Sequence, residues 1–484
     1  MAAAGVLLSV GPAAGQYLDQ VGYTALQARL GAAAPTGAGV AVAQVEASEG
    51  PNRFAPDPAV TTASGRPAPT VRTANSSAAS GHATAVADVF YGRDTMAGGV
   101  TKVDAWEAND WINRTLYPTV GGVTGAPVTA GQPRVSNHSY IGELDAPFTA
   151  ADAADLSVRA DYFVANSRQV MVVAVGSNAN QPGTGAPAAA FGNVSNGITV
   201  GRSDGNHLGG LTTLDVPGQL TPGRVKPDLV APLGAVSYAT PAVAAAATLL
   251  VQSAGTTPAG DPAAVKAMLM AGAKKDPFPD WNRTTARPLD LRYGAGQVNI
   301  DNSHRILEAG QQPASASATV ASTGWDVNTV STSTARQTYF FDVAADAPAK
   351  SLSAVLTWNR SVRVTGTDAD GNAVLTADPL ADLNLALYRA NGFALAGGPI
   401  DQSLSMVDNV EHVWLTAGLT PGRYAFTVDL NGTAGSEYAL AWQVLYTPVP
   451  EPAFGLVVIA VVTVGWFGVS GSATGRPSAR RADR

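Results

Sequence analysis

Between Gly37 and about Gly310 the chain repeats one alternation: a short Val-rich run closed by glycine or polar residues, then an alanine-rich stretch at helical spacing. The runs following Gly39 (VAVAQV), Gln169 (VMVVAVG) and Gly197 (ITVG) are mostly apolar, and the run following Arg134 (VSNHSYIG), more polar, is the fourth strand candidate. That is how strands buried on both faces read, whereas a sheet with one wet face would alternate. Stretches opening at His82 (ATAVADVF) and after Tyr238 (ATPAVAAAATLLV) supply helices apolar enough to cover such a sheet. The expected fold class is therefore α/β, a mostly parallel sheet flanked by helices.

Near residues 311 to 320 the composition shifts to Ala, Ser and Thr, and alternation with period two takes over as far as Tyr446. Gln337 (QTYFFDV), Ser353 (SAVLTW), Leu383 (LNLALYR), Glu411 (EHVWL), Arg423 (RYAFTVDL) and Tyr438 (YALAWQVL) open strand-like runs, with Asp370-Gly371-Asn372 and Thr420-Pro421-Gly422 as turns. About eight such strands predict an all-β sandwich. The organisation expected is an α/β domain over 16–310, an accessory sandwich over 311–447 and a terminal segment over 448–484.

Several function classes drop out. A net charge of −7 leaves no cationic face for nucleic acid. With no Cys there is neither a thiolate nucleophile nor a Cys-held metal, and none of the five His pairs with another at the i, i+4 spacing of a helical zinc site. The stretch Asp368-Ala-Asp370-Gly371-Asn372 touches a calcium-loop pattern but lacks the downstream Glu, so it reads as a turn. No cofactor is required; calcium is the one ion left open.

The ends of the chain carry address-like features. Residues 453–469 (AFGLVVIAVVTVGWFGV) hold no charge, and Arg476, Arg480, Arg481 and Arg484 follow. At 1.5 Å per residue, 17 residues reach about 25 Å, a short membrane span with a basic cytoplasmic stop. Val449-Pro450-Glu451-Pro452 stands just before it. Motif, span and Arg-rich end together resemble the PEP-CTERM sorting signal of Gram-negative bacteria, which implies export, an exosortase-type processing partner and retention at the envelope. Residues 1–15 read as a signal peptide without its basic start.

Four residues in the α/β part carry chemistry. Ser237 opens an alanine-rich helix, where backbone N–H groups and the helix dipole face any oxyanion; an N-cap serine looks the same. His82 opens another helix and suits general-base work near neutrality, or is simply a surface residue. Glu46 ends one strand, where open α/β sheets place their sites, and Asn178 follows another; each is equally at home as a loop or turn residue. Taken in order, the segments VAQVEAS, GHATAVADVFYG, VVAVGSNAN and KPDLVAP with VSYATPAVAAAATLL resemble the subtilisin-like serine peptidases, the subtilases.

The resemblance implies Ser237 as nucleophile, His82 as general base, Glu46 as the residue orienting it and Asn178 as an oxyanion donor. Ser139 and Gly176 would bind an extended peptide substrate, and His138 beside Ser139 is read as structural. This sequence departs from the family at Glu46, where subtilases carry Asp, at Ala235-Val236 before the serine, and at Ala83 and Ala85. An extra methylene displaces a carboxylate by about 1.5 Å, and misplacing a catalytic group by about 1 Å costs on the order of 100-fold. The expectation is an exported serine endopeptidase. The competing readings are an inactive pseudopeptidase that binds at the surface and a structural matrix protein.

Overall fold

The structure is a computed structural model that describes residues 14–446, apart from 64–66, 75–78, 118, 121–122, 125–131, 141–148, 177–190, 217–221, 346–348, 370, 372 and 417–418. Met1–Thr447 form one compact unit and Pro448–Arg484 a second. The span predicted over 453–469, its sorting motif, residues 1–13 of the leader predicted over 1–15, and Asn178 lie outside the described residues.

The first layer contains, in chain order, β1 (Ala41–Glu46), β2 (Thr70–Val71), β3 (Lys102–Glu107), a small hairpin of β4 (Thr119–Val120) and β5 (Val123–Thr124), and β6 (Val135–His138). It continues with β7 (Val170–Ala174), β8 (Ile198–Arg202), a ribbon of β9 (Gly210–Leu211) and β10 (Val225–Lys226), and β11 (Leu229–Ala231). Seven of these form one sheet in the order β11-β8-β7-β6-β1-β3-β2, with every pairing parallel. All four Val-rich runs are strands, as expected. The chain leaves β1 toward β3 on one side and β6 on the other, so the strand order switches there. In open sheets the crevice beyond the carboxyl ends at such a point is where ligands bind.

The helices are α1 (Ala14–Gln20), α2 (Tyr23–Leu30), α3 (Pro58–Ala63), α4 (Gly81–Phe90), α5 (Ala108–Trp111), α6 (Ala150–Ser167), α7 (Val236–Ala254), α8 (Pro262–Ala271) and α9 (Ile300–Glu308). Helix α7 lies against β6, β7 and β8. Its run Ala244–Ala247 is fully buried, and side chains this small let the helix axis approach the strands closely. Among the described residues only α7 is long and apolar enough to cross a membrane, and it is a core helix, mostly buried. Pro241 is the sixth residue of α7, inside the helix rather than in its first turn. The carbonyl of Ser237, four residues back, therefore lacks its usual helical donor.

The second layer holds β12 (Thr319–Val320), β13 (Thr323–Val330), β14 (Arg336–Val343), β15 (Ala349–Thr357), the hairpin of β16 (Val362–Thr367) and β17 (Ala373–Ala377), β18 (Leu383–Asn391), β19 (Ala394–Ser403), β20 (Val410–Leu415), β21 (Gly422–Leu430) and β22 (Ser436–Tyr446). A five-stranded sheet (β12-β14-β21-β18-β19) faces a four-stranded one (β13-β22-β15-β20), nine strands where about eight were read from sequence. Asp368 and Gly371 belong to the turn of the β16–β17 hairpin, with Gly371 N–H donating to the Asp368 carbonyl (3.1 Å). The sandwich has its own core around Tyr339, Trp358, Tyr424, Phe426 and Trp442.

The two layers share a core. Helix α8 packs on β15 and β22, and Val355, Val410, Ala439 and Ala441 of the sandwich belong to the same apolar cluster as α7 and the parallel sheet. Polar contacts reinforce it. Arg360, from the turn after β15, pairs with Asp161 of α6 at 2.6 Å, both side chains fully buried. The second oxygen of Asp161 accepts the N–H groups of Ser195 and Asn196 (2.8 Å each), and Asn196 exchanges two hydrogen bonds with the Arg360 backbone.

Candidate active site

Glu46 is the last residue of β1 and is buried. Its Oε2 lies 2.9 Å from Nδ1 of His82, and its Oε1 accepts a hydrogen bond from Gln44 Nε2 (2.9 Å). Gln44 is held in turn, donating to the Ala83 carbonyl (2.8 Å) and accepting from the Tyr91 hydroxyl (2.6 Å). The extra methylene of Glu46 is thus accommodated: the carboxylate makes a direct hydrogen bond to the imidazole, with both oxygens engaged.

His82 is the second residue of α4. Ser80 caps this helix, its side chain accepting from Ala83 N–H (2.9 Å), which fixes the first turn and with it the histidine. The loop after β1 returns to the same helix end, where the Glu49 carboxylate accepts from Gly81 N–H (2.9 Å) and His82 N–H (3.3 Å). An anion at a helix N-terminus is stabilised by the unpaired N–H groups there. Burial opposes protonation of His82. The hydrogen bond and charge of Glu46, helped by the charge of Glu49, outweigh burial and raise its pKa above 6.5.

Were His82 a general base it would have to be neutral to work, and an activity that depends on it would rise with pH through that raised pKa. Glu46→Gln is expected to move the midpoint of the acid limb to lower pH. Titrating the His82 ring by NMR checks the shift independently of activity, and an unmoved midpoint would remove Glu46 from the role. By the same sign, the charged pair stabilises the fold below pH 6.5 and loses that contribution as pH climbs through the folded pKa.

Ser237 is the second residue of α7, in the first turn, where N–H groups have no helical acceptor. Val236 beside it is buried against Ala174 and Val175 at the end of β7, so the departure at this position forms wall rather than obstruction. Tyr238, the next residue, stacks on the His82 ring with centroids 6.4 Å apart. Glu46, Glu49, His82, Ser139, Tyr140 and Ser237 line one cleft of about 340 Å³. Among the described residues no hydrogen bond joins His82 to Ser237, although both line this cleft.

The remaining expected residues fall nearby. Ser139 follows β6 and is buried, its Oγ accepting from Asn137 Nδ2 (2.9 Å). Gly176 leaves β7 at φ 105°, a conformation glycine adopts without strain, and its carbonyl accepts from Leu208 N–H. His138 is structural as read: fully buried among Trp111, Tyr140 and Phe191, with its pKa lowered by burial to about 3. Sequence reading missed Gln44, Glu49 and Tyr91. The only trace of Glu49 was a second carboxylate three residues after Glu46.

A second serine, histidine and glutamate also meet. Ser253 Oγ lies 3.0 Å from His304 Nε2, and Glu308 Oε2 lies 3.4 Å from Nδ1. Ser253 is at the far end of α7 from its unpaired N–H groups, and Arg29 also approaches His304 Nδ1 (3.4 Å), so this trio has no start of α7 beside its serine.

No protein-family model matches the sequence, and no curated protein matches it. Solved structures similar to it include MycP1 with its N-terminal propeptide removed, at 18% identity and TM-score 0.35, covering 59% of this chain and 95% of that one. The MycP3 protease of the type VII (ESX-3) secretion system matches at 18% identity and TM-score 0.32, over 58% and 86% of the two chains. The pre-peptidase C-terminal domain of a Bacillus anthracis collagenase matches at 12% identity and TM-score 0.19, over 28% and 99%.

Proposed function

We propose that this chain is a subtilisin-like serine endopeptidase using Ser237, His82 and Glu46. The observation that carries the reading is the 2.9 Å contact between Glu46 and His82 on the wall of a cleft that Ser237 lines from the start of α7. Glu46 accepts a hydrogen bond from the Nδ1–H group, which keeps the proton there and leaves Nε2 free to take a proton from Ser237 Oγ as that oxygen attacks a peptide carbonyl. The negative charge that develops on the carbonyl oxygen is met by the Ser237 N–H and the positive end of α7. Asn178, just beyond β7, is the proposed second donor. His82 then gives its proton to the leaving amine, and water, activated by the same base, releases the acyl group from the serine.

Ser139 and Gly176, at the ends of adjacent strands, are the proposed seats for an extended peptide. The terminal segment supports export, exosortase-type processing and at least transient anchoring at the envelope, read from residues 448–484 alone. The test is a fluorophosphonate probe on the full chain, with the adduct located by mass spectrometry. The expected result is a single modified residue, Ser237. A folded protein that takes no label overturns the reading in favour of a surface binding protein.

A further inference from the structure

A larger cavity, about 610 Å³, opens away from the peptidase cleft, between the segment after α8 and the four-stranded sandwich sheet, and shares no lining residue with that cleft. Small-molecule sites run from about 300 to 1,000 Å³. Lys275, Lys350, Ser353, Trp281, Trp414 and Pro279 line it. Lys275 is the unusual member, because it is 5% exposed and no carboxylate pairs with it among the described residues. Its ammonium donates to the Ala273 carbonyl (3.1 Å) and Ser353 Oγ (3.3 Å), which uses two of three N–H groups. The nitrogen lies 4.5 Å from the ring centre of Trp414 and 5.7 Å from that of Trp281.

The cavity's own carboxylates are engaged elsewhere. Asp276 pairs with Lys274 (3.3 Å), and Asp301 with Arg29 (2.7 Å) and Arg305 (3.0 Å). What remains is a buried cation beside two indoles, which pack edge to face with ring centres 6.3 Å apart, and exposed Lys350 at the edge. Burial, and then the charge of Arg283, lower the Lys275 pKa to about 7, which is the cost of holding this ammonium without a counter-ion. A ligand that brings an anion removes that cost, and one with a flat apolar body also covers the indoles. We infer that this cavity binds a small monocarboxylate with an apolar body, its carboxylate on Lys275 and its body against Trp281 and Trp414.

The test titrates phenylacetate and its uncharged counterpart 2-phenylacetamide into the full chain, following heat and tryptophan fluorescence. Saturable binding of the acid, about tenfold or more tighter than the amide, is expected. Lys275→Met should bind acid and amide alike, and Trp414→Leu should weaken both. The acid–amide comparison needs no variant, so it decides the matter even if a substitution unfolds the protein. Equal affinity for acid and amide in the native chain, no saturable binding of either, or acid binding that persists unchanged in folded Lys275→Met overturns the proposal.

Discussion

Ser237→Ala should lower kcat/KM for peptide hydrolysis by roughly 10⁴- to 10⁶-fold, since removing the nucleophile leaves only what binding and oxyanion donors contribute. His82→Ala should fall into the same range, because Ser237 Oγ without its base is a neutral alcohol. The sharper expectation concerns the double variant. In the proposed reaction nucleophile and base act as a unit, so losing both should cost little more than losing either. Independent costs that multiply would mean that the two side chains do not share one step. Near-native circular dichroism in each variant separates chemistry from folding, and a Ser237→Ala protein as active as the parent would end the peptidase reading.

The largest effect on stability is expected at a residue far from the cleft. Arg360→Met removes one member of a fully buried ion pair and leaves the Asp161 charge with two backbone N–H donors and the more distant charge of Arg224. Breaking a buried pair from one side costs about 3–5 kcal/mol, a large part of the net stability of an ordinary domain. Urea unfolding should show a correspondingly lower midpoint, and both layers should unfold in one transition because they share a core. Separate transitions, or a loss below about 1 kcal/mol, would show that the pair does not join the layers.

What could be read in advance was whatever the local chain determines. Strands β1, β6, β7 and β8 announced themselves because both their faces are buried. Strand β3 did not, since Lys102, Asp104 and Glu107 interrupt its apolar pattern; Asp104 is buried and is paired with Arg72 at 2.8 Å, a partner a linear reading cannot supply. Strand β19 was hidden by Gly397-Gly398-Pro399, a composition tolerated because this strand lies at the sheet edge. Glu46 and His82 were legible as a strand end and a helix start in a familiar order. Gln44, Tyr91 and Glu49 were not, because their places depend on how β1 and its loop return to α4.

The shared core also sets a timetable for the newborn chain. Helix α8 ends at Ala271, yet the face it presents to β22 stays uncovered until residues 436–446 have been made. At roughly 5–20 residues per second, a ribosome needs on the order of ten to thirty seconds to span that interval. Throughout it the nascent α/β layer carries an unfinished apolar side. A message cut short after Gly310 would therefore yield a chain with every proposed catalytic side chain and an uncovered α8, a form prone to aggregation and to removal by quality control.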